Sequence, residues 1–116
     1  MKYPEREYLS VVLCTFNDEK FIRSSIESIL NQTYPYFEFI IVNDGSTDGT
    51  LNIIKEFKDD RIIIIDKPNT GLADSLNIGC ARAKYKWIAR MDADDIALPT
   101  RFENQVKYIR NNIGVI

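Results

Sequence analysis

Strand-like apolar runs alternate with helical patterns through most of this chain. Each run is short and rich in the apolar and β-branched residues that favour strands. The four runs lie at residues 9–15, 37–43, 62–65 and 86–91. The first is apolar at most of its positions, as is typical of a strand buried on both faces. Alternation of this kind predicts a parallel sheet with right-handed crossovers and helices on both faces.

Apolar residues between and after these runs recur at helical spacing, which predicts four helices. The first spans about residues 19–32, and the fourth follows Pro99. Residues 114–116 have the pattern of a further strand at its start. The fold class is therefore α/β, a three-layer αβα arrangement around a mostly parallel, Rossmann-like sheet. The apolar positions of the four helices are, in chain order, Ile22, Ile26, Ile29 and Leu30; Leu51, Ile54 and Phe57; Leu72, Leu76, Cys80 and Ala83; Phe102, Val106 and Ile109.

Composition limits the domain count and excludes several kinds of function. The 116 residues suit a single domain with a real core, which we assign to residues 1–116. Because the chain contains no histidine, His-based zinc sites, His general bases and Ser-His-Asp triads within it are excluded. The net charge of −2 and the pI near 5.1 create no field that attracts nucleic acid, so we expect no nucleic-acid partner.

The cysteines and the start of the chain bear on the cellular location. Cys14 and Cys80 lack metal-ligand spacing, so we expect two reduced core residues of an intracellular protein. The start of the chain, residues 1–7, is charged and lacks the apolar region of a signal peptide. No apolar run approaches the ~18 residues needed to span a bilayer. We therefore expect a cytoplasmic protein.

Polar residues follow three of the predicted strands, at positions 15–17, 43–48 and 92–95. Because the carboxyl ends of parallel strands meet at one edge of a sheet, where α/β proteins bind ligands, we expect these groups to converge. Taken alone, each has a plainer explanation. Thr15 and Asn17 could cap a helix. The pair at positions 44–45 could form a hairpin turn, although the helical pattern after it disfavours one.

The densest polar group is Asp92-Ala93-Asp94-Asp95, with three carboxylates in four residues. Carboxylates crowded together repel one another, so a cation between them stabilises the arrangement. Hard oxygen ligands favour Mg²⁺ or Mn²⁺, ions that are commonly shared with substrate phosphates. A solvated loop of like charges is the alternative. An EF-hand calcium loop is excluded, because its fifth and sixth positions would hold isoleucine and alanine instead of an oxygen ligand and glycine.

Four groups of residues, in this order along the chain, carry a family resemblance. They are positions 11–17 (VVLCTFN), 41–48 (IVNDGSTD), 69–72 with 75–79 (NTGL and SLNIG), and 92–95 (DADD). Together they resemble the nucleotide-sugar-binding half of family 2 glycosyltransferases, which have the GT-A fold. The match covers the chain from about residue 9 to residue 111. Each motif is modest alone, and the ordered set is specific.

The resemblance implies a nucleotide-diphospho-sugar donor, most often UDP-linked, at the carboxyl edge of the sheet. It implies that Thr15 and Asn17 line the nucleoside pocket. It also implies that Asp44 accepts a hydrogen bond from the base, with Ser46 beside it. The implied reaction is inverting transfer of a sugar to an acceptor hydroxyl, as in polysaccharide biosynthesis.

The same resemblance implies different roles within the acidic group. Asp92 is expected near the ribose and the water shell of the metal. Asp94 is expected to bind Mn²⁺ or Mg²⁺ directly and to bridge the ion to the diphosphate, while Asp95 supports it or faces the sugar. The ion would act as a Lewis acid that stabilises the departing nucleoside diphosphate.

An inverting transfer also needs a general base that deprotonates the acceptor hydroxyl. In the family this residue lies well downstream of the metal motif, which here means after Ile116. Asp95 is a poor substitute, because a carboxylate beside a divalent cation is a weak base. We therefore expect the donor-binding part of a longer, truncated transferase, without the half that binds the acceptor.

Several further expectations follow from that resemblance. The acceptor would be a saccharide or a lipid-linked molecule, and contact with the inner face of the membrane would come through the missing part or through the acceptor. An apolar face exposed by truncation could pair two copies into a homodimer. One alternative is a non-catalytic fragment that binds a nucleotide sugar without transferring it. Another is a sugar nucleotidyltransferase, which is disfavoured because positions 16–19 contain two acids and no glycine.

Overall fold

A computed structural model describes residues 7–111 of the chain. Within that range, the predicted alternation of four strands and four helices is confirmed. The further strand expected at residues 114–116 lies outside the described residues. The elements are, in chain order, β1 (Leu9–Thr15), α1 (Ile22–Leu30), β2 (Phe37–Asp44), α2 (Thr50–Glu56), β3 (Ile62–Lys67), α3 (Leu72–Arg82), β4 (Trp87–Asp92) and α4 (Arg101–Asn111).

The four strands form one parallel sheet in the order β3-β2-β1-β4. Leu9 of β1 pairs with Phe37 of β2 on one side and with Trp87 of β4 on the other. β1 therefore lies between β2 and β4. Since all strands run in the same direction, their carboxyl ends meet at one edge of the sheet, as the alternation predicts.

Helices cover both faces of the sheet, which confirms the three-layer αβα arrangement. The larger core lies between the sheet and helices α1, α2 and α4. Burial of each large aliphatic or aromatic side chain contributes about 1.5–3 kcal/mol, so this layer is the main source of hydrophobic stabilisation. Its helical residues are Ile22, Ile26 and Ile29 of α1, Ile54 of α2, and Phe102 and Val106 of α4.

The core on the other face is thinner, because α3 packs very close to the sheet. A Cβ atom on Gly79 would lie 2.6 Å from Cγ1 of Val12 in the central strand. The buried positions of α3 are accordingly the small residues Ser75 and Gly79. The predicted inward face of this helix is wrong at two positions, since Leu72 is 54% exposed and Cys80 is also exposed.

The prediction of two core cysteines is wrong for Cys80. Cys14 is half-buried on β1, Cys80 is exposed on α3, and both thiols are free. Cys80 follows Gly79 by one residue, which places it about 100° around the helix axis from the position that meets the sheet. Helical spacing of apolar residues therefore predicted the inward side of α3 only in part, because Leu76 and Ala83 do pack against the core on this face of the sheet.

Element boundaries at the carboxyl edge differ from the predicted ones in a way that matters for the site. β2 extends to Asp44, β3 to Lys67 and β4 to Asp92, so three polar residues are the last residues of strands. α1 begins at Ile22 instead of position 19, because a turn precedes it in which the Phe21 N–H donates to the carbonyl of residue 18. Among the described helices, none has both the length and the apolar character needed to cross a membrane.

Candidate active site

A cleft of about 550 Å³ opens at the carboxyl edge of the sheet. Thr15 of β1, Asp44 of β2 and Asp92 of β4 line it, together with Asn69 before α3 and Asp94 after β4. This volume lies within the range typical of small-molecule sites. Polar residues that are far apart in sequence therefore share one cleft.

Asn17 and Ser46 lie beside this cleft and bind each other. Asn17 has a φ of 54°, in the left-handed region that asparagine tolerates better than most residues. Its N–H donates to Oγ of Ser46 at 3.0 Å, and its Oδ1 accepts the N–H of Thr47 at 2.7 Å. These bonds join the loop after β1 to the loop after β2. Direct contact of Asn17 or Ser46 with a ligand stays a prediction.

Thr15 is buried and held by the turn that precedes α1. Its hydroxyl donates to Oδ2 of Asp18 at 2.7 Å, and the same oxygen accepts the N–H of Phe16 at 3.1 Å. The N–H of Asp18 in turn donates to Oγ1 of Thr50, the first residue of α2, at 2.9 Å. Because its proton is engaged, the Thr15 hydroxyl offers the cleft an acceptor and a fixed wall.

The acidic cluster, defined as Asp92, Asp94 and Asp95, forms the β4 side of the site. One carboxylate oxygen from each residue lies within 4.8 Å of the other two, and all three residues are exposed. Arg90 is one nearby cation, with Nη2 at 3.8 Å from Oδ1 of Asp92, and an exposed pair of this kind contributes little. Arg101 also lies beside Asp92 and Asp95. Asp95 is outside the lining of the cleft, whereas Asp92 and Asp94 belong to it.

The chemistry of this donor set fits a hard divalent cation. Carboxylate oxygens are the ligands that Mg²⁺ and Mn²⁺ prefer, at distances of roughly 2.0–2.2 Å. The three carboxylates are exposed, so rotation about their side-chain bonds can adjust oxygens that already lie within 4.8 Å of one another to distances that a single ion spans. The residues present therefore suit the ion that the motif predicts.

Asp44 is a buried acceptor at the end of β2. Its Oδ1 accepts hydrogen bonds from Nζ of Lys67 at 2.6 Å and from the N–H of Thr70 at 2.8 Å, and its Oδ2 accepts the N–H of Gly71 at 3.0 Å. Burial alone would raise the pKa of Asp44, but these hydrogen bonds outweigh it and hold the pKa below its ordinary value. Asp44 is thus ionised at neutral pH and holds the loop before α3 against β2.

Gly45 permits this contact between two loops. Its φ is +70°, and a Cβ atom there would lie 2.4 Å from the backbone nitrogen of Asn69. A side chain at this position would meet both a backbone clash and an unfavourable conformation, and glycine avoids both. The glycine after Asp44 in the sequence motif therefore serves the close approach of the loop before α3.

Three charged residues at the site were not predicted from the sequence, namely Lys67, Arg90 and Asp18, the last of which lines the cleft and accepts the hydrogen bond of Thr15. Lys67 contacts Asp44, the carbonyl of Pro68 at 2.8 Å and Oγ1 of Thr70 at 2.5 Å. Lys67 comes two residues after the isoleucine run of the third predicted strand. That position could have indicated that it lies at the same edge of the sheet as the other polar groups. Arg90 lines the cleft itself, and the sequence feature that could have indicated it is a lone charge inside an apolar run.

Comparison with known proteins identifies the family. The model of glycosyl transferase family 2 matches residues 10–116. An uncharacterized glycosyltransferase of Haemophilus influenzae is 50% identical over 107 residues, which cover 90% of this chain and 33% of the relative. The chain therefore belongs to glycosyltransferase family 2, as the motifs predict. It spans about a third of the length of that relative.

Solved structures of glycosyltransferases share the fold. S. aureus TarS in complex with UDP-GlcNAc has a TM-score of 0.85 and 25% identity, and the match covers 92% of this chain and 32% of that one. The mannosyltransferase PcManGT from Pyrobaculum calidifontis, in complex with GDP-Man and Mn²⁺, has a TM-score of 0.81 and 25% identity, with coverage of 87% and 32%. The expected GT-A type of fold is confirmed.

Proposed function

We propose that this chain binds a nucleotide-diphospho-sugar, UDP-linked, with Mn²⁺ or Mg²⁺, as the donor-binding part of an inverting glycosyltransferase. The observation that supports this most is that the ionised Asp44 and the carboxylates of Asp92 and Asp94 line one cleft. The arrangement suits a ligand with a hydrogen-bond donor at one end and phosphates at the other. Proteins of similar fold bind UDP-GlcNAc, or GDP-Man with Mn²⁺.

At the nucleoside end, Asp44 accepts a hydrogen bond from an N–H of the base. Its ionised state, maintained by Lys67, makes it a strong acceptor. Thr15 provides a fixed wall beside the nucleoside, while Asn17 and Ser46 hold the two adjoining loops together. This end of the site binds the donor without a cation.

At the phosphate end, Asp94 and Asp92 hold the divalent cation, and Asp95 supports them or faces the sugar. When bound, the ion supplies Lewis-acid stabilisation of the departing diphosphate. Without a cation, the three carboxylates repel the phosphates of the donor, because like charges at short range disfavour each other. The carboxylates therefore make donor affinity depend on a divalent cation.

Transfer to an acceptor requires parts that we place outside these residues. This chain spans about a third of the length of the Haemophilus influenzae relative, so the remaining length of such a protein can supply the general base and the acceptor site. The acceptor is a saccharide or a lipid-linked molecule. Within this chain, the cleft binds the donor and stabilises its leaving group.

The test is a calorimetric titration of the purified protein with UDP, with and without Mn²⁺. We expect Mn²⁺ to raise the affinity, and Asp94→Ala to abolish that increase. Asp60→Ala is the matched control, since it removes the same charge from an exposed position away from the cleft. Absence of UDP binding by the folded protein, or binding that Mn²⁺ does not change, would contradict the proposal.

A further inference from the structure

Three polar side chains, two in α1 and one just after it, face the acidic loop, defined as residues 93–100 between β4 and α4. They are Ser25, Ser28 and Gln32, at helical spacings of three and four residues, so they lie on one side of the helix and its end. Ser25 is 1% exposed and Gln32 is 6% exposed. We propose that these three are positioning residues that hold the acidic cluster in a geometry ready for the cation, an inference that rests on the proposed function.

Ser25 contacts the backbone on both sides of Asp94. Its Oγ lies 2.6 Å from the carbonyl oxygen of Ala93 and 2.5 Å from that of Asp95. A hydroxyl has one proton, so the two carbonyls share a single donor. The turn is also closed by the N–H of Asp95, which donates to the carbonyl of Asp92 at 3.1 Å. One buried hydroxyl therefore holds the backbone on both sides of Asp94.

Ser28 and Gln32 hold the second half of the same loop. The hydroxyl oxygen of Ser28 accepts the N–H of Ala97 at 3.0 Å. The amide of Gln32 donates to the carbonyl of Leu98 at 2.6 Å and accepts the N–H of Phe102, in the first turn of α4, at 3.0 Å. Gln32 thus provides a hydrogen-bond donor to the acidic loop and an acceptor to the start of α4, where backbone N–H groups lack helical partners.

The acidic loop needs such partners because it belongs to neither a strand nor a helix. Backbone N–H and C=O groups close to the core must be paired, and Ser25, Ser28 and Gln32 pair several of those in the acidic loop. The carboxylates repel one another, so a free backbone would let them spread apart. With the backbone fixed, less ordering is required when the cation binds. The contribution of α1 is therefore expected in cation affinity as well as in folding.

Two measurements, the affinity for UDP with Mn²⁺ and the affinity for UDP without it, distinguish this positioning role from a purely structural one. A loss of folding alone would weaken UDP binding equally with and without Mn²⁺, because it removes competent protein. A positioning role weakens the Mn²⁺-dependent part and leaves cation-free binding through Asp44 unchanged. Residues that orient metal ligands typically change affinity 10- to 100-fold when removed.

The experiment compares Ser25→Ala with Ser24→Ala. Ser24 is its neighbour in α1 and is exposed, so the control makes the same chemical change on the same helix. UDP is titrated with and without Mn²⁺. We expect Ser25→Ala to reduce the gain in affinity that Mn²⁺ provides by about tenfold. An equal loss under both conditions, or an unchanged gain, would overturn the proposal.

A second measurement does not depend on the nucleotide. Amide hydrogen exchange in the cation-free protein reports whether the acidic loop opens. We expect Ser28→Ala, at a half-buried position less prone to affect folding, to speed exchange at Asp95 and Ala97 while amides of β1 keep their rates. Unchanged exchange in the acidic loop contradicts the positioning role. Failure of the wild-type protein to bind UDP with Mn²⁺ contradicts the proposed function instead.

Discussion

Nζ of Lys67 lies 2.6 Å from Oδ1 of Asp44, and the two side chains are only 10% and 6% exposed. A buried pair of this kind is costly to break, because the remaining charge has no solvent to stabilise it. We expect Lys67→Met to lower the free energy of unfolding by about 3 kcal/mol. Urea unfolding at pH 7 measures the change.

The control for this prediction is Lys58→Met, which removes the same charge from an exposed position. We expect it to change stability by less than about 0.5 kcal/mol. A double variant, Lys67→Met with Asp44→Asn, should recover part of the loss, since no unpaired charge then remains. If Lys67→Met and Lys58→Met had equal effects, the pair would have no special role in stability.

Acid should destabilise the protein in part through Asp44 and Asp59. Hydrogen bonds from Arg61 lower the pKa of Asp59, and those from Lys67 and the loop before α3 lower the pKa of Asp44 against the opposing effect of burial. As the pH falls through the ordinary value of 3.8, the unfolded chain binds protons first. The stability that these carboxylates provide is therefore complete above about pH 5 and is lost below pH 4.

Urea unfolding of wild type and Asp59→Asn between pH 7 and pH 2.5 tests this sign. The stability difference between the two proteins should be largest at neutral pH and should shrink as acid protonates Asp59 in the wild type. Asp60→Asn, at the neighbouring exposed position, is the control. A difference that stays constant or grows in acid would contradict the assigned direction of the pKa shift.

The two cysteines should differ sharply in their reactivity. Burial, reinforced by the nearby Cys80 thiol, raises the pKa of Cys14 to about 11, whereas Cys80 itself is exposed. Only the thiolate is nucleophilic, so iodoacetamide at pH 8 should modify Cys80 and spare Cys14. Mass spectrometry of tryptic peptides locates the label. The Cys80→Ser variant should take up none under native conditions, and labelling at Cys14 would contradict its raised pKa.

Gly79→Ala should destabilise the protein, although alanine is the better helix former. The new Cβ would lie 2.6 Å from Cγ1 of Val12 and 3.1 Å from Cγ2 of Val42. Overpacking of this kind typically costs about 1–3 kcal/mol, which exceeds the gain of up to about 1 kcal/mol in helix propensity. Thermal unfolding measures the difference.

The matching double variant decides whether this contact is the cause. Val12→Ala leaves space that the methyl group of Gly79→Ala can occupy, so the two changes together should cost less than the sum of the single ones. Additive effects would mean that α3 does not approach β1 as closely as described.

The convergence of Thr15, Asp44 and Asp92 could be predicted from the sequence. Each residue lies at the end of an apolar run, and parallel strands bring such ends to one edge regardless of their distance in sequence. The contacts among these residues could not be predicted in the same way. The Asp44–Lys67 pair depends on the approach of the loop before α3, which in turn depends on Gly45.

Helix faces were harder to predict than strand ends. Leu72 and Cys80 match the helical period, yet the fully buried positions of α3 are Ser75 and Gly79. The small distance between α3 and the sheet determines which residues can lie between them. That distance depends on how the whole domain packs, so the sequence of the helix alone does not reveal it. Ser25 was equally ambiguous, because a polar residue beside an apolar face can contact either water or a loop.

Ala93 separates the carboxylates of the acidic cluster and is itself buried in the core. Its inward methyl group fixes which positions of the turn can point outward. Insertion or deletion of one residue would bring a carboxylate into the core, whereas substitution at Asp92, Asp94 or Asp95 leaves the packing in place. The proposed cation site can therefore be altered by changing side chains at constant loop length, whereas changes in loop length would affect folding before they affected that site.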